Sequence, residues 1–330
     1  MTPRVSVVIR THGRARLFRA ALASARAQTL RDIEIVVVED GGPEYAADIA
    51  AEIGDARIRV LRNEVSCGVG PATLRGAEAA RSRFLAFLDD DDLWDPTFLA
   101  TLVEPLSRDE GVVVAFCRRR IIDVDGATIG VGDPRNWEDR LRWPEARGAI
   151  EPFVHEALVD PVISVAQSAV VDTRDVDWSF LKTAGPCWDN RLAHQLCRRP
   201  GAAWYEPTAL SSYRIHDVAM SAETPTLSSR VSTYRSYLRD EQLSPWHDGL
   251  SRRLARQLES RALAFSNETE LRQARRDMRE AVRLDPTFRS LRALVVLQLP
   301  ASPARRLVDG YQRAHAATRR RRSTRFSATD

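Results

Sequence analysis

The stretch Phe84-Leu-Ala-Phe-Leu-Asp-Asp-Asp-Asp-Leu-Trp94 decides how the rest of the sequence is interpreted. Its apolar run, Phe84 to Leu88, is short and ends abruptly in polar residues, which is typical of a buried strand. Four consecutive carboxylates, Asp89 to Asp92, follow at the carboxyl end of that strand. Adjacent negative charges repel one another, so they either raise their own pKa values or bind a cation. Carboxylate oxygens favour a hard divalent ion, Mg2+ or Mn2+, which commonly serves a phosphate-bearing ligand.

A solvated turn that caps the next helix is the alternative interpretation of these four carboxylates. Asp95 followed by Pro96 has the pattern of an N-cap residue with proline at the first helical position. Capping needs only one carboxylate, however, and leaves the four before it unexplained. Both interpretations therefore stand, and they are compatible with each other.

Length and composition indicate an ordinary globular protein with room for one large α/β domain and a smaller appendage. The 330 residues are 44% hydrophobic and 28% charged. The four cysteines lie far apart without a CxxC pair, so neither a zinc site nor a disulfide framework is expected. No apolar run approaches the ~20 residues that span a bilayer, and the amino terminus lacks a signal-peptide pattern. We therefore expect a cytoplasmic protein.

The positive charge is confined to the carboxy terminus. Residues 301–330 contain eight Arg and two Asp, a net +6, so the remaining residues sum to −2 of the total +4. This distribution does not indicate a nucleic-acid-binding surface, and no nucleic-acid partner is expected. Residues 303–322 have the pattern of a basic amphipathic helix that contacts the inner face of the cell membrane. A solvated tail is the alternative.

Upstream of the acidic motif, apolar runs alternate with helical patterns. The predicted strands are Val5–Ile9, Ile33–Val38 and Arg57–Leu61, and the predicted helices cover residues 15–28, 44–53 and 72–81. This alternation favours an α/β fold with a mostly parallel sheet between layers of helices. In such a sheet, ligands bind beyond the carboxyl ends of the strands.

Three polar clusters follow strands at this predicted edge: Arg10-Thr11-His12, Glu39-Asp40 and Asp89 to Asp92. Each of the first two alone has the composition of a plain loop or turn. Their coincidence at one edge indicates a site in which carboxylates bind the base and ribose of a nucleotide while a metal bridges its phosphates.

Downstream, the pattern is less regular. A helix over 96–106, strands at Val112–Phe116, Arg120–Val124, Val162–Val165 and Ser168–Val171, and a hairpin at Asp125-Gly126 are predicted. Trp137 and Trp143 fall in an irregular stretch, where they form either an acceptor-site lid or part of the core. From about residue 226 the pattern is helical.

Three segments resemble the family 2 glycosyltransferases of the GT-A fold: Val5 to Arg14, Gln28 to Gly41 and Phe87 to Trp94. The resemblance is dense over residues 4–100 and looser to about 220. It implies a GT-A catalytic domain over residues 1–222, followed by a helical region, 223–317, and a basic tail, 318–330. The family's activity is inverting, metal-dependent transfer of a sugar from a nucleotide-diphosphate sugar, here expected to be a UDP-sugar. The acceptor is the hydroxyl of a glycan, a lipid-linked saccharide or another glycoconjugate, in surface polysaccharide synthesis.

The resemblance also implies roles for individual residues. Thr11 and Asp40 fall at base-contacting positions, and Asp91 falls on the usual ligand of Mn2+ or Mg2+. The other residues expected to bind the donor are Arg10, His12, Glu39, Arg75, Asp89 and Asp90. His216 and Arg214, in the final strand Tyr205 to His216, are expected to reach the metal and diphosphate, and Asp92 is expected only to end its strand.

Asp189 aligns with the general base that opens a helix late in the family's catalytic domain. From the residues alone it has the pattern of a carboxylate at a helix N-terminus, stabilised by the helix dipole. The chain also departs from the family's usual residues at Arg10, Gly13 and Leu74. Two alternatives therefore stay open: a nucleotidyltransferase on a related sheet, and a degenerate transferase domain that acts as an adaptor.

Overall fold

The computed structural model describes residues 2–131, 143–215, 224–265 and 267–310. The chain divides into two compact units, Met1–Ala219 and Met220–Asp330.

The first unit opens with the alternating strands and helices that the sequence predicts. The strands are β1 (Val5–Thr11), β2 (Ile33–Asp40), β3 (Ile58–Asn63) and β4 (Phe84–Asp89), and the helices are α1 (Ala15–Arg26), α2 (Ala46–Ile53) and α3 (Val69–Ala79). The four strands lie in the order β3-β2-β1-β4 and are all parallel. Their register pairs Thr11 with Glu39 and Arg10 with Asp89. The three polar clusters are therefore neighbours at one edge of the sheet.

Beyond β4 the sheet becomes mixed. The next elements are β5 (Leu93–Trp94), α4 (Phe98–Arg108), β6 (Val112–Ile122), β7 (Thr128–Val131), β8 (Gly148–Ile150), β9 (Ala169–Asp172), α5 (Trp188–Cys197) and β10 (Ala202–Arg214). The sheet continues β4-β9-β6-β10-β5, with β7 beside β6 and β8 beside β10. β9 runs antiparallel to both of its neighbours, whereas β6 and β10 are parallel. The result is the predicted α/β fold, a mixed and mostly parallel sheet flanked by helices.

Two predicted strand assignments are wrong. Residues 112–116 and 120–124 were expected to form separate strands, but β6 runs unbroken to Ile122 because its central arginines continue to pair with β10 across an irregularity. Residues 162–165 form no strand; their apolar side chains are buried in a loop, and pairing starts only at β9. The hairpin at Asp125-Gly126 is confirmed, since Gly126 has a φ of +95° where β6 turns into β7.

The alternation of side chains along β1 determines what each of its residues reaches. Val5, Val7 and Ile9 pack into the core with α1 and α4, and Thr11 lies in the same series. Val8 faces α3, which approaches so closely that any side chain on Gly76 would collide with it. Arg10 lies on the same face of β1 as Val8, and its guanidinium reaches the Thr73 hydroxyl of α3 at 3.4 Å.

The second unit is helical, as predicted. Its helices are α6 (Thr224–Tyr237), α7 (His247–Ala262), α8 (Glu268–Leu284) and α9 (Phe288–Val296), and residues 301–310 are helical as well. Arg261 of α7 donates two hydrogen bonds, 2.7 and 2.9 Å long, to the buried carboxylate of Asp277 in α8. Among the residues described, none of the helices combines the length and apolar character needed to cross a bilayer. The predicted basic tail, 318–330, lies outside them.

Candidate active site

The four carboxylates of the acidic motif point to four different partners because the chain turns sharply after β4. The amide of Asp92 donates to the carbonyl of Asp89 at 3.1 Å, which closes this turn. The carboxylates accept hydrogen bonds from four separate groups: Asp89 from Arg10 at 2.8 Å, Asp90 from the Thr11 hydroxyl at 2.7 Å, Asp91 from Arg14 at 2.5 Å, and Asp92 from the backbone amide of Arg214 at 2.9 Å.

Three of the four carboxylates converge. Asp89, Asp91 and Asp92 each place one oxygen within 4.8 Å of the others. Asp92 is 1% exposed, and its Oδ2 has no hydrogen-bond partner among the described residues. A buried carboxylate oxygen without a partner is costly unless it meets a proton or a cation. An all-oxygen donor set of this kind fits Mg2+ or Mn2+.

This arrangement changes the expected ligand set. The sequence interpretation paired Asp91 with His216 and left Asp92 only to end the strand. Asp91 does belong to the cluster, but its companions are Asp89 and Asp92, and His216 lies outside the described residues. The guanidinium of Arg214, expected at the diphosphate, instead donates to the carbonyl of Asp91 at 2.8 Å.

The electrostatics of the motif favour binding of a positive charge. Burial raises the pKa of Asp89 to about 6 even though Arg10 lies beside it, and the charges of Asp91, Asp90 and Asp189 act in the same direction as burial. Burial also raises the pKa values of Asp90 and Asp92. A divalent cation would relieve both the desolvation and the mutual repulsion.

The predicted residues Thr11 and His12 lie at the end of β1 and at the start of the loop that follows it. The Thr11 hydroxyl lies 2.6 Å from the Tyr45 hydroxyl as well as 2.7 Å from Asp90. The His12 ring nitrogen Nδ1 lies 2.7 Å from the carbonyl of Asp40, so the imidazole rests against the turn at Gly42. Sequence reasoning missed Tyr45 and Arg14 because nothing in their local pattern distinguishes them from ordinary helix-flanking residues.

Glu39 and Asp40 hold neighbouring loops. Glu39 is buried and accepts the backbone amides of Tyr45 and Ala46, both at 3.0 Å, so it caps the start of α2. Its other oxygen accepts from Arg62 at 2.7 Å.

The carboxylate of Asp40 is surrounded by donors from residues 63–68, which form the end of β3 and the loop that leads into α3. These donors are Asn63 Nδ2, the amide and thiol of Cys67, the Ser66 hydroxyl and the amide of Gly68, at 2.7 to 3.1 Å. Burial opposes the charge, yet these bonds lower the pKa of Asp40 to about 2. Arg75 donates to Asn63 Oδ1 and to the carbonyl of Arg62, so it holds the same loop.

Asp189 reaches this edge from a distant part of the sequence. It lies in the first turn of α5, directly after Trp188, which is buried against Phe87 with ring centroids 4.9 Å apart. Phe87 precedes Asp89 by two residues on the same strand. The aromatic contact therefore holds the start of α5 beside the acidic motif, and the charge of Asp189 acts on the pKa of Asp89.

The chain is similar to known glycosyltransferases. Residues 6–159 match the family described as glycosyl transferase family 2. EpsH of Bacillus subtilis is 34% identical over 141 residues, which is 42% of this chain and 40% of EpsH. The Escherichia coli protein WfaP, named as a UDP-Glc:alpha-D-GlcNAc-diphosphoundecaprenol beta-1,3-glucosyltransferase, is 31% identical over 99 residues, 30% of this chain and 39% of WfaP. The chain thus matches less than half the length of either relative.

A solved structure shares the fold. S. aureus TarS, residues 1–349, superposes with a TM-score of 0.64 at 14% identity, covering 94% of this chain and 92% of that one. Its complex with UDP-GlcNAc gives a TM-score of 0.61 at 12% identity. At these identities the likeness concerns the fold alone. Residues 6–159 thus carry the match to glycosyl transferase family 2, and the chain has the GT-A fold.

Proposed function

We propose that this protein is an inverting, metal-dependent glycosyltransferase that moves a sugar from a UDP-sugar to an acceptor hydroxyl. The observation that carries the proposal is the cluster of Asp89, Asp91 and Asp92, with Asp189 nearby and with a buried oxygen on Asp92 that has no hydrogen-bond partner among the described residues. The match of residues 6–159 to glycosyl transferase family 2 supports the reaction class. The UDP-Glc in the name of WfaP and the UDP-GlcNAc bound to TarS support a uridine donor.

The proposed donor site lies along the carboxyl edge of the parallel strands. Asp89, Asp91 and Asp92 would hold Mn2+ or Mg2+, which when bound offsets the charge that develops on the departing nucleoside diphosphate. Thr11, His12 and Asp90 would contact the base and ribose. Arg10 is a guanidinium at the same edge and is suited to the diphosphate, because guanidinium groups form charge-assisted bonds with phosphate oxygens.

Glu39, Asp40 and Arg75 would contribute by shaping the donor pocket. Their side chains bind the loops after β2 and β3, and these loops flank the predicted base position. His216 stays a prediction for the metal and diphosphate.

Asp189 is the proposed general base. It would take the proton from the acceptor hydroxyl as that oxygen attacks the anomeric carbon, and the bond to the diphosphate would break on the opposite face of the sugar. This geometry inverts the anomeric configuration. A positioned base of this kind contributes about 10²–10⁴-fold in rate.

We further propose that residues 1–222 are the catalytic domain and that the acceptor is a glycan or a lipid-linked saccharide in polysaccharide synthesis. The name of WfaP specifies a diphosphoundecaprenol-linked acceptor, which supports this class. The sheet and the acidic motif lie wholly within the first compact unit, Met1–Ala219, which is the part of the chain that supports catalysis in this proposal.

A thermal-shift panel tests the proposal. UDP-, GDP- and dTDP-sugars are added with and without Mn2+, and the melting temperature is recorded. UDP-sugars should raise the melting temperature only when Mn2+ is present. In a separate activity assay, release of UDP from the UDP-sugar should depend on an acceptor that carries a hydroxyl group. If no nucleotide stabilises the protein, the proposal is wrong.

A further inference from the structure

Helix α9 exposes an apolar face. Phe288 is 78% exposed, Leu291 46% and Val295 71%. These residues are spaced i, i+3 and i+7, so they lie along one side of the helix. Monomeric proteins rarely leave large apolar side chains together on one surface unless that surface binds something.

The helix that carries this face is fixed within the second unit. The Thr287 side chain accepts from the amide of Ser290, and the Ser290 hydroxyl accepts from the amide of Thr287, each at 3.0 Å, which forms a capping box. Ser290 and Leu297 are both fully buried. Phe288 and Val295 are therefore presented by an anchored helix, and their exposure does not come from a fraying end.

The charged residues on α9 and in the segment after it, up to Val308, are all arginines, although Arg289 also lies 3.9 Å from Glu259 of α7. Residues 286–308 contain four Arg and neither Asp nor Glu. Arg289 and Arg292 are exposed on α9 itself, and the Arg292 guanidinium lies 5.6 Å from the centre of the Phe288 ring. An exposed apolar stripe flanked by arginines is the pattern of a helix that lies in a membrane interface.

We propose that the face of Phe288, Leu291 and Val295 binds an anionic lipid surface. The three apolar side chains enter the boundary between headgroups and acyl chains, while Arg289 and Arg292 bind lipid phosphates. Association of this face with a second copy of the chain is less favourable. A symmetric contact through the same face would bring the arginines of both copies together without an acidic residue from 286–308 to offset them. An anionic bilayer supplies both the apolar layer and the negative charge.

Co-sedimentation of the full chain with vesicles tests this proposal. Phosphatidylcholine vesicles with and without phosphatidylglycerol are compared, and the wild type should bind those that contain phosphatidylglycerol. The variant F288D/V295D should bind them at least about tenfold more weakly, because two charges then oppose insertion of the face. R289Q/R292Q should lose much of the preference for phosphatidylglycerol.

Two controls separate the contribution of this face from that of any other surface of the protein. I129D/V131D introduces the same change at exposed apolar residues of β7 and should bind vesicles like the wild type. Replacing Arg319 to Arg322 by Gln measures what the tail contributes, and F288D/V295D should still reduce binding in that background.

The proposal is overturned by any of three results. The first is a wild type that does not bind the anionic vesicles, and the second is wild-type binding by F288D/V295D. The third is a dimer, seen by sedimentation velocity, that F288D/V295D disrupts while vesicle binding is unchanged. Thermal melts of each variant confirm that it is folded.

Discussion

The guanidinium of Arg14 lies 2.5 Å from Oδ2 of Asp91 and 3.3 Å from Oδ1 of Asp90. The carboxylate proposed as a metal ligand is thus already paired with a cation from the protein itself. Burial disfavours the charge on Arg14, but Asp90, Asp91 and Asp89 together raise its pKa above the ordinary value. Arg14 therefore stays charged, and a divalent ion must compete with it for Asp91.

Replacing Arg14 by Gln should strengthen binding of Mn2+. The change removes both a competitor for Asp91 and a repulsive positive charge a few ångströms from the ion, and we expect about a tenfold gain in affinity. Isothermal titration of the protein with Mn2+ measures it. R19Q is the matched control, because Arg19 lies in α1, the helix that begins directly after Arg14, and pairs only at the surface with Glu52. Unchanged or weaker binding by R14Q would show that Arg14 does not compete with the ion.

Replacing Asp92 by Asn should separate metal binding from folding. The amide oxygen of Asn can still accept the bond from the Arg214 amide, whereas Oδ2, which has no hydrogen-bond partner among the described residues, is replaced by a neutral NH2 group. Affinity for Mn2+ should fall by at least about tenfold, while the free energy of unfolding stays constant or rises by about 1 kcal/mol.

Titration with Mn2+ and chemical denaturation provide these two measurements for D92N. D125N, in the exposed turn between β6 and β7, should match the wild type in both. Wild-type affinity in D92N would remove Asp92 from the ligand set.

The parts of the fold that sequence reasoning predicted are those with local signals. The apolar runs of β1, β2 and β4 place the strands to within two residues. The carboxyl edge of a parallel sheet then brings Arg10, Thr11 and Asp89 together without any knowledge of side-chain contacts.

The remaining features depend on contacts between residues far apart in the chain. The donors around Asp40 come from a loop more than twenty residues later, and the packing of Trp188 on Phe87 joins positions about a hundred residues apart. The hydrophobic periodicity of the sequence predicts neither of these contacts. The ion pair of Arg14 and Asp91 depends on the turn after β4, which directs each carboxylate of the motif differently. This is why sequence reasoning named the acidic motif but did not group Asp92 with Asp89 and Asp91.

Replacing Asp40 by Asn should loosen the loop of residues 63–68. The NH2 group of Asn would face hydrogen-bond donors, so at least one bond to Ser66 or Gly68 is lost. We expect the free energy of unfolding to fall by about 2–3 kcal/mol.

The effect of D40N should depend on pH. The folded-state pKa of Asp40 is about 2, below its ordinary value, so the stabilisation by this carboxylate is present above pH ~4 and is lost as the pH falls through about 2. In urea denaturation, the free energies of unfolding of wild type and D40N should therefore differ more at pH 7 than at pH 3. An equal difference at both values would contradict the role of the charge.

Replacing Asp189 by Asn should abolish transfer and leave donor binding intact. Asn keeps the size of the side chain at the start of α5, and the contact of Trp188 with Phe87 that holds this helix is untouched. The lost base should lower the turnover rate about 10²–10⁴-fold. Affinities for UDP and Mn2+ should change by no more than about threefold, because the only charge removed is that of Asp189, which is not itself in the proposed ligand set and acts on Asp89 from nearby.

Two measurements test the D189N prediction. Release of UDP from a UDP-sugar gives the turnover rate, and calorimetric titration gives the affinities. Turnover close to that of the wild type would exclude Asp189 as the base, and a loss of UDP binding in step with the rate would place it in the donor site instead.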